Sequence, residues 1–263
     1  MKTFISILAS TLFFLSSLSQ TSTDIDLKEI FEGYELAGCM VIYDQNKNEF
    51  FRYNNNLCDT GYIPGSTFAI PNALIALEEG VILDDKQEII WNNHTWRIKA
   101  WNKNQTLKSA VESSCIWVFA EFANQIGIDK YKTYTEEFGY GNKLIGEPEN
   151  RFWLSGDLRI SANQQIDFLR KFYNYDLSLQ QRSVDIVKNS IVKEKNEKFT
   201  LSTTFGFGQV DSQTNILWQV GCIRIDNNVY FFALNAKAPK HYSADEAKRY
   251  LLKDILKELK ILN

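Results

Sequence analysis

Ile63-Pro-Gly-Ser-Thr-Phe-Ala-Ile-Pro-Asn-Ala-Leu-Ile-Ala-Leu-Glu-Glu-Gly80 is the stretch of the sequence that says most about the fold. Its apolar second half predicts a buried helix, which Gly80 can end. Pro71 lacks the N–H that would bond to the carbonyl of Thr67, and this loss is tolerated only in the first turn. The helix therefore begins near Ser66, at the positive end of the helix dipole. A serine in this position is most often a simple cap.

Other short motifs favour a nucleophilic role for this serine over a capping role. In chain order, they are Ser66-Thr-Phe-Ala-Ile-Pro-Asn72, Trp101-Asn102, Gln105-Thr-Leu107, Ser114-Cys-Ile116, Tyr140-Gly-Asn142 and Phe152-Trp-Leu154. In this order the motifs resemble those of the class D serine β-lactamases, over nearly all of the chain after the first 19 residues. The resemblance implies that Ser66 is the acyl-ester nucleophile. It also implies that Ser114, Ile116 and Trp153 lie at the same site.

The first departure from the family pattern is Ala69, three residues after the serine. The family has a lysine there, and its carboxylated form is the general base for acylation and deacylation. A serine hydroxyl needs such a base, because it is a weak nucleophile at its own pKa. Trp153 stands where the family has a tryptophan that bonds to this lysine, so we expect it to have lost that partner.

The second departure lies in the strand that faces the substrate in the family. Its Lys-Thr-Gly motif corresponds to Thr204-Phe205-Gly206, with Phe207 next, so only the glycine is kept. In addition, Gly65 replaces the usual alanine. The family's carboxylate-binding arginine corresponds to either Lys248 or Arg249. These positions complete the expected substrate-binding set.

Two functions remain open after these losses. Without both lysines, the resemblance implies a catalytically impaired protein that binds or senses a β-lactam-like or peptidoglycan-like small molecule. The alternative is a residual serine hydrolase, or a slowly acylated penicillin-binding protein, that uses Ser66. No replacement base is visible in the sequence, because Glu112 is two residues from Ser114 on a predicted helix and points elsewhere.

The order of helical and strand patterns predicts an α+β fold. Strand patterns occur early, at Cys39–Tyr43 and Glu49–Tyr53, and late, at Ile216–Ile225 and Val229–Leu234. Helical patterns occupy most of the sequence between them, including Leu107–Ile126. We therefore expect an antiparallel sheet built from both ends of the chain, with a helical region inserted between them. Capping boxes at Ser161–Gln164 and Ser243–Glu246 predict two further helix starts, and the last helix should cover one face of the sheet.

The N-terminus has the pattern of a secretory signal peptide. Lys2 precedes an apolar run from Phe4 to Leu15, and two serines then flank Leu18. The run is too short to span a membrane. We therefore expect residues 1–19 to be removed, and the product to be periplasmic or secreted.

The remaining composition fits one soluble domain over residues 20–263. The net charge of −3 does not favour nucleic acid as a partner. The four cysteines match no zinc-binding spacing, and nothing in the sequence predicts a metal or a cofactor. Cys39 and Cys58 flank the predicted first hairpin and are the candidate disulfide pair. The oligomeric state is left open.

Overall fold

The structure of the protein, a computed structural model, describes residues 20–262. The predicted signal peptide therefore lies outside the described residues. Seven strands form one sheet: β1 (Thr21–Asp24), β2 (Ala37–Asp44), β3 (Glu49–Tyr53), β4 (Val192–Lys195), β5 (Phe199–Gln209), β6 (Thr214–Ile225) and β7 (Asn228–Pro239).

Most helices lie in sequence between the early and the late strands. The α-helices are α1 (Lys28–Gly33), α2 (Asn55–Cys58), α3 (Ala69–Glu78), α4 (Leu107–Glu112), α5 (Ile116–Ile126), α6 (Ile128–Phe138), α7 (Phe152–Ser155), α8 (Ala162–Tyr173), α9 (Gln181–Ser190) and α10 (Leu252–Glu258). Short 3₁₀ helices cover Gly65–Phe68 and Lys99–Trp101, and a π-helical turn covers Ala247–Leu251. The described helices include none long and apolar enough to cross a bilayer.

The sheet confirms that strands from both ends of the chain pair with each other. Its strand order is β1-β3-β2-β7-β6-β5-β4, and Cys39 of β2 lies opposite Asn235 of β7. Every pairing is antiparallel except that of β1, which runs parallel to β3. This α+β architecture is the fold class that the sequence predicts.

The sheet separates two apolar cores. The helical-side core lies between the sheet and helices α3 to α9, and it includes Phe68, Trp218 and Cys222. The terminal-helix core lies on the other face, where α1 and α10 pack against residues such as Leu217 and Phe232. Because side chains alternate along a strand, neighbouring residues of β5 and β6 contribute to different cores.

Two details of the predicted helices are wrong. The predicted helix Leu107–Ile126 is two helices, because the chain turns between α4 and α5 and Ser114 takes a left-handed φ of 50°. The Ser161–Gln164 capping box is present, with both reciprocal hydrogen bonds. The one expected at Ser243–Glu246 is absent, since the last helix begins with the π-helical turn and no side chain caps it.

Candidate active site

Ser66 is the one residue between Tyr62 and Leu77 that reaches solvent. It lies in the 3₁₀ helix that leads directly into α3, as Pro71 predicts. The Thr67 hydroxyl donates to the Pro64 carbonyl at 2.8 Å and holds this first turn in place. The sequence therefore buries the whole segment except for one hydroxyl-bearing side chain.

Strand β5 passes very close to Ser66, and two glycines allow this approach. A Cβ at Gly206 would lie 2.7 Å from the Ser66 backbone nitrogen and 3.1 Å from its Cβ. Gly65 has a φ of +57°, and a Cβ there would lie 2.2 Å from the Phe207 carbonyl oxygen. Only glycine fits at either position without moving the strand. The close approach of β5 therefore explains why position 65 is a glycine in this chain rather than the alanine expected from the family.

Ser114 joins the site from the turn between α4 and α5. Its hydroxyl donates to the Phe205 carbonyl of β5 at 3.4 Å, and its backbone is left-handed. A left-handed φ is unfavourable for serine, and such strain is commonly found at functional positions. Ile116, which begins α5, is half-buried against the helical-side core. The second motif and the substrate strand are therefore in direct contact.

The two residues that replace the family's Lys-Thr pair lie on opposite faces of β5. Thr204 faces the Ser66 side and is buried, with a hydroxyl oxygen that has no hydrogen-bond partner. Phe205 packs on the other side, against the terminal-helix core and the ring of Phe207. The alternation of β-strand side chains causes this separation.

Of the two candidate counterparts of the carboxylate-binding arginine, Lys248 contacts the substrate strand. Its ammonium nitrogen lies 5.6 Å from the centre of the Phe205 ring. Both Lys248 and Arg249 are exposed on the π-helical turn, and both line a cavity beside β5. The aromatic replacement on the strand and the basic side chain on the helix are thus neighbours.

Trp153 is buried and stacks on Phe68, with ring centres 5.7 Å apart. Phe68 directly precedes Ala69, which is 6% exposed and contributes only a methyl group to the core. Phe68 also packs edge-on against Tyr140 and Phe152. Trp153 also packs edge-on against Phe152, with ring centres 5.0 Å apart, so aromatic packing holds the tryptophan in the core.

Gln165 is a buried residue of the candidate site that was not predicted from the sequence. Its amide donates to the Thr67 hydroxyl at 3.1 Å and to the Tyr140 hydroxyl at 3.3 Å. Burial raises the pKa of Tyr140, so this phenol stays neutral. The only available signal was the position of Gln165 on the apolar face of α8, where a polar residue needs buried partners.

No base accompanies Ser66 in the described part of the chain. None of its side chains forms a hydrogen bond with the Ser66 hydroxyl. Across residues 20–262 there is also no group of three histidine, cysteine or acidic side chains that could hold a metal. The described part of the site provides a hydroxyl nucleophile and backbone N–H groups, but no side chain in hydrogen-bond contact with the hydroxyl that could remove its proton.

The disulfide expected between Cys39 and Cys58 is absent, since all four cysteines are buried free thiols. The two side chains are in contact. A hydrogen bond between their thiols raises the pKa of Cys39, and burial raises it further. Cys115 lies between the second-motif residues, and burial raises its pKa to about 12. It therefore has little thiolate character at neutral pH and is a poor substitute nucleophile.

The fold and this arrangement of two serines beside strand β5 define a penicillin-recognising serine protein. The family model of the penicillin binding protein transpeptidase domain matches residues 39–257. Beta-lactamase OXA-48 of Klebsiella pneumoniae is 36% identical over 232 residues, which are 88% of this chain and 87% of that protein. The chain belongs to the class D β-lactamase family.

Solved structures of relatives agree with this assignment. A class D β-lactamase from Sebaldella termitidis has a TM-score of 0.88 at 35% identity, covering 92% of this chain and 99% of that one. The C-terminal domain of the Bacillus licheniformis BlaR penicillin-receptor has a TM-score of 0.88 at 28% identity, covering 93% and 99%. In sequence, regulatory protein BlaR1 of Bacillus licheniformis is 30% identical over 86% of this chain but only 38% of its own length.

Proposed function

We propose that residues 20–263 form an exported penicillin-recognising domain that binds a β-lactam-like or peptidoglycan-like small molecule with little or no turnover. The observation that supports this most directly is the absence of a base near Ser66. Ala69 contributes a methyl group where the family has its lysine, and no described side chain bonds to the Ser66 hydroxyl. A positioned general base contributes about 10²- to 10⁴-fold to the rate.

The rest of the site favours binding over loss of function. Ser66 is half-buried and so still reaches solvent, and the glycine at 206 still brings β5 against it. Gln165 still ties the first turn to Tyr140 through two hydrogen bonds. A relic with no ligand would have no need of a strained Ser114 or of a solvent-facing Ser66. A sensing role fits this arrangement, because one structural relative is the C-terminal domain of a penicillin-receptor.

The direct test is the mass of the intact protein after incubation with benzylpenicillin. The expected result is at most a trace adduct that persists for hours, because deacylation lacks the same base as acylation. Nitrocefin should show no measurable hydrolysis. Ser66→Ala is the matched control and should remove any adduct. Robust hydrolysis by the natural protein, abolished by Ser66→Ala, would contradict the proposal.

The alternative is residual acyl transfer by Ser66, and a specific feature supports it. Gly206 brings the β5 backbone close to the Ser66 backbone nitrogen, and we infer that the N–H groups there serve as donors to an oxyanion. Such donors sustain slow reaction in serine enzymes that lack their catalytic side chains. Complete acylation within minutes, without hydrolysis, would support this alternative and a role as a covalent penicillin receptor.

A further inference from the structure

A cavity of about 450 Å³ lies along helix α8. All but one of its lining residues have polar side chains, namely Gln164, Asp167, Arg170, Lys171, Asn174 and Asp176. This volume lies within the range of sites that hold small organic ligands. Gln165, the α8 residue that bonds to Thr67, is not among them, so the cavity is separate from the Ser66 site.

Asp167 is an unpaired carboxylate in the wall of this cavity. It precedes Arg170 by three residues and Lys171 by four, which are the spacings at which ion pairs form on a helix. Within the described chain, however, its carboxylate forms no ion pair and accepts no hydrogen bond. Partial burial raises the pKa of Asp167, and the nearby positive charges offset only part of this effect. A partly desolvated carboxylate without a partner is unfavourable.

The two basic side chains of the cavity are engaged elsewhere. The Arg170 guanidinium carbon lies 4.0 Å from the ring centre of the buried Tyr43, and its Nε is buried without a hydrogen-bond partner. The Lys171 ammonium group donates to the carbonyl of Phe138, the last residue of α6, at 3.2 Å. Stacking on a ring fixes a guanidinium but uses none of its five N–H donors. Both cations are therefore held in place and keep donors for a ligand.

Asp176 adds a second carboxylate that has no ion pair among residues 20–262. Its backbone N–H bonds to the Lys171 carbonyl at 2.8 Å, so the turn after α8 brings it back to the cavity. The wall thus has two negative and two positive groups, and none of the four is paired with another. A simple anion or cation would be attracted by one pair and repelled by the other, whereas a ligand with both charges can satisfy all four.

We propose that this cavity is a second ligand site, which binds a small zwitterion of the amino-acid class. The ligand's carboxylate meets Arg170 and Lys171, since the guanidinium fork matches the geometry of a carboxylate. Its ammonium group meets Asp167 and Asp176, and the amides of the wall bond to a polar side chain of the ligand. The site does not involve Ser66, so it stands or falls separately from the proposed function.

The probe is glutamine, added to the folded, isotope-labelled protein and followed by amide NMR spectra. It should shift the amide signals of α8 and of the turn after it, in a saturable manner at one molecule per chain. N-acetylglutamine lacks the ammonium group and glutaminamide lacks the carboxylate, and we expect each to bind at least tenfold more weakly. Asp167→Asn and Lys171→Gln should each weaken glutamine binding at least fivefold.

Glu197→Gln is the matched control, since Glu197 is exposed in the turn between β4 and β5, away from α8. It removes the same charge as Asp167→Asn and should leave the affinity for glutamine unchanged. Circular dichroism must show that each variant is folded, and Lys171→Gln keeps the test decisive if Asp167→Asn is not. Equal affinity for N-acetylglutamine would overturn the proposal. So would equal weakening by Asp167→Asn and Glu197→Gln, or the absence of saturable shifts with millimolar glutamine.

Discussion

The face of β5 that meets the Ser66 helix presents small side chains, whereas the face that meets the last helix presents large ones. Gly206 and Thr204 lie on the first face, where the strand almost touches Ser66. Leu201 and Phe205 lie on the second face, beside a basic cavity. At the two positions where we expect the family's lysine and threonine, this strand has a buried threonine on one face and a phenylalanine on the other. The comparison shows that substitutions at neighbouring positions of a strand change the packing on opposite faces of the sheet.

The largest expected effect comes from restoring the family's chemistry on the Ser66 side. The triple variant Ala69→Lys, Thr204→Lys, Phe205→Thr returns a base and a positive charge together. We expect acylation by benzylpenicillin to accelerate at least 100-fold, since a general base contributes about 10²- to 10⁴-fold. Time-resolved mass spectrometry of the intact protein measures the rate. The same triple variant with Ser66→Ala must form no adduct, and an unchanged rate would contradict the proposal that the missing side chains limit acylation.

The next effect tests how closely β5 approaches Ser66. Gly206→Ala adds a Cβ 2.7 Å from the Ser66 backbone nitrogen, so the strand or the helix must shift. Overpacking of this kind costs about 1–3 kcal/mol, and each kcal/mol lowers the Tm of a chain this size by about 2–4 °C. Gly33→Ala is the matched control, because no atom lies within 4 Å of a Cβ there. Thermal unfolding curves compare the two variants. Equal Tm values would mean that β5 is packed less tightly against Ser66 than the structure shows.

Alkaline pH should lower the free energy of unfolding, in part through two buried thiols of the helical-side core. Burial raises the pKa of the Cys115 and Cys222 thiols to about 12, from a usual value near 9, and both lie in the helical-side core. Above pH 9 these thiols ionise in the unfolded chain but not in the folded one, so stability falls between about pH 9 and 12. Urea unfolding at pH 8 and pH 10.5 measures the loss. Replacing both cysteines by alanine should reduce the pH dependence, and an unchanged slope would contradict this assignment.

The smallest effect contrasts two adjacent threonines. Thr203 faces the terminal-helix side and donates to the Val220 carbonyl at 2.9 Å, whereas the buried Thr204 hydroxyl has no partner. Thr203→Val should destabilise the protein by about 1 kcal/mol, because it removes this buried hydrogen bond. Thr204→Val should be neutral or slightly stabilising, because it removes an unpaired hydroxyl. Equal losses of unfolding free energy for the two variants in denaturant titrations would contradict this difference between the two faces of β5.

The sequence predicted the elements whose signals are local. Pro71 located the start of the Ser66 helix, the Ser161 capping box located α8, and the late strand patterns located β6 and β7. The break at Ser114 was not predictable from periodicity, because the apolar spacing continues across the turn.

Details of the site that depend on tertiary contacts could not be predicted from the sequence either. Nothing local shows that Gln165 reaches both Thr67 and Tyr140, since these contacts span up to 98 positions along the chain. The choice between Lys248 and Arg249 was likewise open, and in the structure the Lys248 ammonium nitrogen lies 5.6 Å from the centre of the Phe205 ring. The family motifs predicted which residues form the site, and the structure shows which neighbours these residues pack against.

The two outer strands of the sheet have a consequence for behaviour at high concentration. Both β1 (Thr21–Asp24) and β4 (Val192–Lys195) are only four residues long, and β4 has an irregular register with β5. All of β1 is exposed and polar, while β4 alternates lysine with valine and glutamate. Short, charged or irregular edge strands give a second molecule little backbone with which to form intermolecular β-bridges. The sheet is therefore protected against fibril growth at both of its ends.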